Sequence, residues 1–282
     1  MERGERLAWI GFGIAAAAAY VPVVVRLTAA WWTDSDYSHG LICAPLAAAL
    51  IYGRRDALAK LPMKPAIVGL AGAGASLVLL LVGTLGAELF LTRTSLLLFA
   101  ASSIVFLFGW RHLRAVAFPF AIVALSIPIP AILMTHVTLP LQFAASAAAE
   151  ASLTAVGIPV LREGNVLALP HATLQVAEAC SGVRSMMSLI VLGLIVARRM
   201  ESRTAVRAAI VAAAVPVTIA VNAFRVTATA LVTERYGVAA AEGLVHEMLG
   251  MLLFVASAIL LIACARVVIA LAARTSPLRA AL

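Results

Sequence analysis

Apolar runs wide enough to cross a bilayer recur from one end of this chain to the other. A helix needs about 20 such residues to span the hydrocarbon core, and the first run, LAWIGFGIAAAAAYVPVVV, starts at Leu7. Inside lipid each backbone N–H and C=O must be satisfied within the spanning structure itself, which restricts what these runs can become. Composition agrees. Of 282 residues 63% are hydrophobic and only 12% charged, with a mean hydropathy of +1.06. A soluble domain of this length needs far more polar residues to cover its surface. The chain therefore reads as an all-α polytopic membrane protein, a single integral-membrane domain over residues 1–282. The first run is too long for the core of a signal peptide and no cleavage site precedes a soluble domain, so it is taken as the first span.

Eight spans are expected, at roughly 7–25, 39–53, 66–83, 94–110, 114–130, 181–197, 208–230 and 246–266. Basic residues orient them. Arg3 and Arg6, then Arg54, Arg55, Lys60 and Lys64, then Arg111 and Arg114, then Arg198, Arg199, Arg203 and Arg207, then Arg266, Arg274 and Arg279 all fall on one side if the spans alternate. These make up most of the 21 Lys and Arg. The positive-inside rule then puts both termini in the cytoplasm of a bacterial inner-membrane protein. The net charge of +8 is spread between the apolar runs and not gathered on one domain, so it marks topology and argues against a nucleic-acid partner. Alternation requires that residues 131–157 not cross. With His136, Pro140, Gln142 and Glu150, and a start after the breaker PIP, they suit an interfacial or re-entrant helix on the outer face. In 160–178, the short runs NVLAL and ATLQV, joined by a Pro-His turn, predict a small outer-face hairpin.

Three helices then bring unusual groups to one level on the outer face. Cys180 opens the sixth span, and Arg184 follows four residues on, one turn deeper on the same helix face. Arg225 sits about a turn below the exit of the seventh span, and His246 opens the eighth. A cysteine attacks as its thiolate, which a helix N-terminus and a nearby arginine both favour. Arginine keeps its proton and supplies fixed positive charge where an oxyanion develops, and histidine can protonate a leaving group. Glu178 reads as a helix N-terminal carboxylate or as a partner for Arg184 or the imidazole. Ser181 is a rival nucleophile, but it lacks the Gly-rich elbow of a serine hydrolase. His112, His136 and His171 fall in loop, interfacial and turn positions, as bystanders. Cys43 and Cys264 lie inside apolar runs, where cysteine packs as a small hydrophobe. No zinc spacing and no phosphate loop occurs, so no metal or cofactor is expected. In the second span's approach, WWTDSD precedes YSHG, whose Tyr37 and His39 are candidates for substrate docking.

These motifs resemble the exosortase/archaeosortase family of membrane-embedded cysteine transpeptidases. The matching pieces are YSHG (37–40), PLQ (140–142), the REGN-to-hairpin segment, ACSGVRS (179–185), NAFRV (222–226) and the entry at His246, in family order across nearly the whole chain. The resemblance implies a catalytic set of Cys180, Arg225 and His246, with Arg184 as a further site residue and Asn222 as the first letter of the N-x-x-R piece. It implies as partners exported proteins that end in a short motif such as Pro-Glu-Pro (PEP-CTERM-like), a hydrophobic helix and a basic tail. It also implies an amine or lipid acceptor, and an association with exopolysaccharide production. The form expected is the single-domain one, with the site on the outer face. Two other classes compete. A transporter or channel would use Arg184, Arg225 and His246 to line a polar path, but the chain shows no inverted repeat. A thiol redox protein would want a second cysteine on the outer face.

Overall fold

A computed structural model describes residues 3–176, 182–237 and 244–274. The chain divides into two compact units, Met1–Pro130 and Ala131–Leu282. Six of the described helical segments are long and apolar enough to cross a membrane: Ile14–Thr33, Val68–Leu85, Leu89–Leu107, Ala131–Ala155, Thr204–Tyr236 and Met248–Arg274. Their most apolar windows bury only 17–22% of their residues inside the protein. Apolar helices so little covered by protein need lipid around them, which fits the membrane reading. Three of the eight expected spans form helices that are shorter or more polar than these six, so the count of eight is not reproduced.

The first unit contains α1 (Arg3–Thr33), α2 (Gly40–Tyr52), α3 (Arg55–Ala59), α4 (Val68–Leu85), α5 (Leu89–Leu107) and α6 (Trp110–Ala124). Helices α4 and α5 form its tightest pair, and small residues explain why. Gly69, Ala73, Ser76 and Gly83 are buried on α4. A Cβ on Gly69 would collide with the backbone of Phe106, and one on Gly83 would stand 2.9 Å from Thr92 N and Leu91 Cβ. Close backbone approach through small residues is the main way helices associate where burial from water offers little. Glu88 caps α5, its carboxylate accepting from Leu91 N at 3.0 Å.

The second unit contains α7 (Ala131–Ala155), a three-stranded antiparallel sheet, α8 (Val183–Met200), α9 (Thr204–Ala212), α10 (Ala214–Tyr236) and α11 (Leu244–Arg274). The segment expected to be interfacial or re-entrant forms one continuous helix, α7, which Pro140 does not break. It packs along α10, with Ala145 and Ala149 clustering with Val226 and Leu153 with Ala230, so the two helices run in the same direction. The sheet has one strand more than the expected hairpin, in the order β1 (Leu161–Glu163), β2 (Val166–Ala168), β3 (Thr173–Gln175). A two-residue Gly164-Asn165 turn adds β1, with Gly164 at φ +65° where most side chains are strained. Leu189 of α8, Ala214 and Val217 of α10 and Leu261 of α11 share one core, and Ala197, Ile210 and Ala265 the next. From this register α8 and α11 both run antiparallel to the continuous α9–α10 rod.

Candidate active site

The site is organised by two glycines. Gly182 is the N-cap of α8 and holds φ +82°, a left-handed conformation that side chains rarely adopt. It also lies on α10. A Cβ there would stand 3.1 Å from Cγ and 3.2 Å from Cβ of Asn222, and 3.2 Å from Cγ2 of Thr218. One turn further along α10, the Arg225 guanidinium rests on Gly250 of α11, where a Cβ would lie 3.6 Å from Nη2 and 3.7 Å from Cζ. One face of α10 therefore touches the start of α8 at Asn222 and the first turns of α11 at Arg225.

Between them lies a pocket lined by Gly182, Ser185, Thr218, Asn222, Arg225, Gly250 and Ser257, with Val221, Leu253 and Phe254 as its apolar wall. Its free volume of about 20 Å³ takes about one water. Thr218 and Ser257 donate to Ala214 O and Leu253 O of their own helices, both at 2.8 Å. With those protons committed, each hydroxyl oxygen is left as an acceptor. Asn222 is buried and Arg225 half-buried. A fixed cation, an amide and two acceptors thus surround a space the size of one oxygen atom.

The sequence-predicted residues fall unevenly around this pocket. Arg225 and Asn222 line it. His246 belongs to the first turn of α11, four positions before Gly250, which places its backbone about 6 Å along the axis from the Arg225 contact; its side chain lies outside the described residues. Glu178, Cys180 and Ser181 lie outside them as well. The Cys180 end of the expected i, i+4 pair with Arg184 lies outside the described residues. Helix α8 begins at Val183, and the left-handed Gly182 ahead of it interrupts the helical register. Arg184 is exposed and is not among the described residues that line the pocket. Thr218, Ser185, Ser257 and Gly250 escaped the sequence reading. Thr218 and Ser257 read as ordinary helix residues, and only their facing partners make them site residues.

A second network fixes the chain just before the undescribed stretch. Asn165 donates to Gln142 Oε1 at 3.3 Å and to Val176 O at 3.0 Å, while Val176 N returns a bond to Asn165 O at 2.8 Å. Gln142 is 3% exposed, so the PLQ and REGN motifs form one buried clamp on the strand that leads toward Cys180. Arg162 pairs with Glu150 at 2.7 Å, and His171 with Glu234, fastening the sheet to α7 and to the end of α10.

In the first unit, Tyr37 and His39 have structural partners. The buried Tyr37 oxygen accepts from Ile129 N at 3.0 Å, and burial raises its phenol above the usual range. His39 Nε2 donates to Leu125 O at 3.3 Å. Trp31 Nε1 donates to Ser126 O at 2.7 Å, and Gly40 is glycine because a Cβ would collide with that indole. The YSHG motif thus pins the α1–α2 turn to residues 125–129.

A sequence model described as "Transmembrane exosortase (Exosortase_EpsH)" matches residues 31–263. The chain belongs to the transmembrane exosortase family. The matched stretch takes in YSHG, the Gln142–Asn165 clamp, Gly182, Asn222, Arg225 and the start of α11, so the pocket lies wholly inside the exosortase region. No curated protein and no solved structure matches the chain significantly.

Proposed function

We propose that this exosortase is a membrane-embedded cysteine transpeptidase that cleaves C-terminal sorting signals of exported proteins and transfers them to an acceptor. The observation that carries the reading is the double contact of α10, with Asn222 against Gly182 and Arg225 against Gly250. Cys180 is two residues upstream of Gly182, and two residues of chain reach at most about 7 Å. His246 is one turn upstream of Gly250. The α10 contacts support this reading, since they bring the start of α8, just after Cys180, and the first turns of α11, which include His246, onto one face of α10.

In this mechanism the Cys180 thiolate attacks the scissile carbonyl and a C–S bond forms. The carbonyl oxygen, now an anion, is stabilised by the fixed positive charge of Arg225. His246, carrying the proton taken from the thiol, passes it to the departing amine as the C–N bond breaks, leaving a thioester. An amine or a lipid headgroup then attacks the thioester, and Cys180 leaves as thiol. The pocket is too small for a substrate side chain. The motif, a Pro-Glu-Pro type sequence ahead of a hydrophobic helix and a basic tail, would be read outside it. With both termini cytoplasmic, the site faces outward from a bacterial inner membrane, and the substrate's basic tail stays on the cytoplasmic side.

The test co-expresses the chain with a reporter ending in motif, apolar helix and basic tail. Cys180→Ala and Cys180→Ser should leave full-length reporter accumulating. Normal processing in both contradicts the nucleophile assignment.

A further inference from the structure

A second, wider groove lies in the first unit and shares no residue with the pocket above. It measures about 470 Å³ and is lined by Ile51, Leu58, Leu61, Met63, Ile104, Phe108 and their neighbours, with His112 as its single titratable side chain. That volume falls within the range of about 300–1,000 Å³ typical of small-molecule sites. The lining comes from the end of α2, from α3 and the α3–α4 loop, from the end of α5 and from the start of α6. Two contacts hold this corner open as a formed groove: Lys64 N donates to Phe108 O at 3.1 Å, and Arg54 Nη1 donates to Ala115 O at 3.1 Å. Gly109, at φ +91°, lets the α5–α6 turn lie directly on the Lys64 carbonyl.

The same segments carry an unbalanced charge. Arg54, Arg55, Lys60, Lys64, Arg111 and Arg114 are all exposed, and Asp56, 3.8 Å from Arg55, is the one acid among them. Among the described residues no acid pairs with Lys60, Lys64, Arg111 or Arg114. Inside the groove, His112 Nδ1 donates to Phe108 O at 3.0 Å, which leaves Nε2 as an acceptor on an otherwise apolar wall.

We propose that this groove binds one anionic phospholipid, its acyl chain along the apolar lining and its phosphate on the basic rim. Charge complementarity selects this occupant. A basic peptide would meet six cations, and a zwitterionic headgroup would bring its own cation to the same rim. Basic side chains at the ends of membrane helices attract anionic headgroups in this way, and His112 Nε2 can accept from a headgroup hydroxyl. The proposal rests on the membrane reading of the fold and is independent of the chemistry at Cys180.

Native mass spectrometry of the full chain in detergent tests it, with dioleoyl phosphatidylglycerol, dioleoyl phosphatidylcholine, inorganic phosphate and an uncharged polyleucine helix as probes. One phosphatidylglycerol should bind, about tenfold tighter than phosphatidylcholine, and Lys60→Glu/Lys64→Glu should erase that preference. Met63→Trp, at a side chain 69% exposed and so tolerant of exchange, should lower occupancy by both lipids, with Tm confirming that the variant is folded. Equal binding of the two lipids overturns the proposal, as does phosphatidylglycerol binding that Met63→Trp leaves unchanged. Displacement of the lipid by inorganic phosphate alone would show a headgroup site without a chain site. Tighter binding of an uncharged polyleucine helix would assign the groove to a protein segment. Either result also overturns it.

Discussion

Replacing Gly182 with alanine separates two physical effects that meet at the proposed active site. A side chain held in the left-handed region costs about 1–2 kcal/mol. The new Cβ would also stand 3.1 Å from Asn222 Cγ and 3.2 Å from Thr218 Cγ2. These contacts are tighter than ordinary packing, and both belong to buried residues of α10, so the α8–α10 contact must open by a few tenths of an ångström. Overpacking of this kind adds about 1–3 kcal/mol. Gly157 supplies the control: it holds the same φ, +82°, and a Cβ there would meet nothing within 4 Å. Gly157→Ala should therefore carry the backbone penalty alone. In purified protein, thermal unfolding should show both variants destabilised, with Gly182→Ala the worse by about 1–3 kcal/mol. The reporter-processing rate should fall at least about tenfold for Gly182→Ala, since about 1.4 kcal/mol is a factor of ten, and stay near wild type for Gly157→Ala. If Gly182→Ala processes normally, or Gly157→Ala loses as much activity, the contact of α8 with α10 does not organise the site.

Other outcomes follow from the same structure. Arg225→Lys keeps the charge but loses the planar fork, and should slow processing by about 10²–10³ as removal of an oxyanion donor does; an unchanged rate in single-turnover assays contradicts the assignment. Asn165→Ala breaks the clamp between Gln142 and Val176 and should lower stability by about 1–3 kcal/mol, with faster proteolysis near Val176 as the readout. Arg203 holds the Glu201 carboxyl down at about 2. The stability from that pair is present above the ordinary carboxylate pKa of 4.5 and is lost as pH falls from there toward 2. Wild type should therefore show no transition from this pair between about pH 5 and 8, and Arg203→Ala, which keeps only the backbone donors of residues 202 and 203, should weaken the acid-side dependence in a Tm-against-pH series. Reporters fused at Pro170 and at Ser202 should report opposite sides of the membrane, the first outside; the same side for both contradicts the topology.

The membrane class was plain in the chain because it depends only on local sequence. A run such as LVLLLVGTL declares a span wherever it sits, and basic clusters mark loops one by one. Counting along the expected spans gave only an expectation of shared depth for Cys180, Arg225 and His246. What counting could not supply was lateral contact. That Gly182 faces Asn222 and Gly250 faces Arg225 depends on which helices are neighbours, and nothing local to either glycine encodes its partner. The left-handed cap at Gly182 was equally invisible, since a glycine there is as compatible with a helix interior. The first strand of the sheet was available in the Gly164-Asn165 pair, a two-residue hairpin signal passed over in favour of the longer apolar runs. The hydrogen bonds of Tyr37 and His39 to backbone groups of residues 125–129 were not legible either, since they join positions about 90 residues apart.

Covalent chemistry at Cys180 is tested by trapping the acyl-enzyme intermediate. The chain is incubated with its reporter, quenched in acid and digested, and the peptide carrying Cys180 is weighed by mass spectrometry. An adduct of the reporter's new C-terminus is expected on that peptide, released by neutral hydroxylamine and absent from Cys180→Ala. An adduct on any other residue, or processing by Cys180→Ala with no adduct at all, would contradict it.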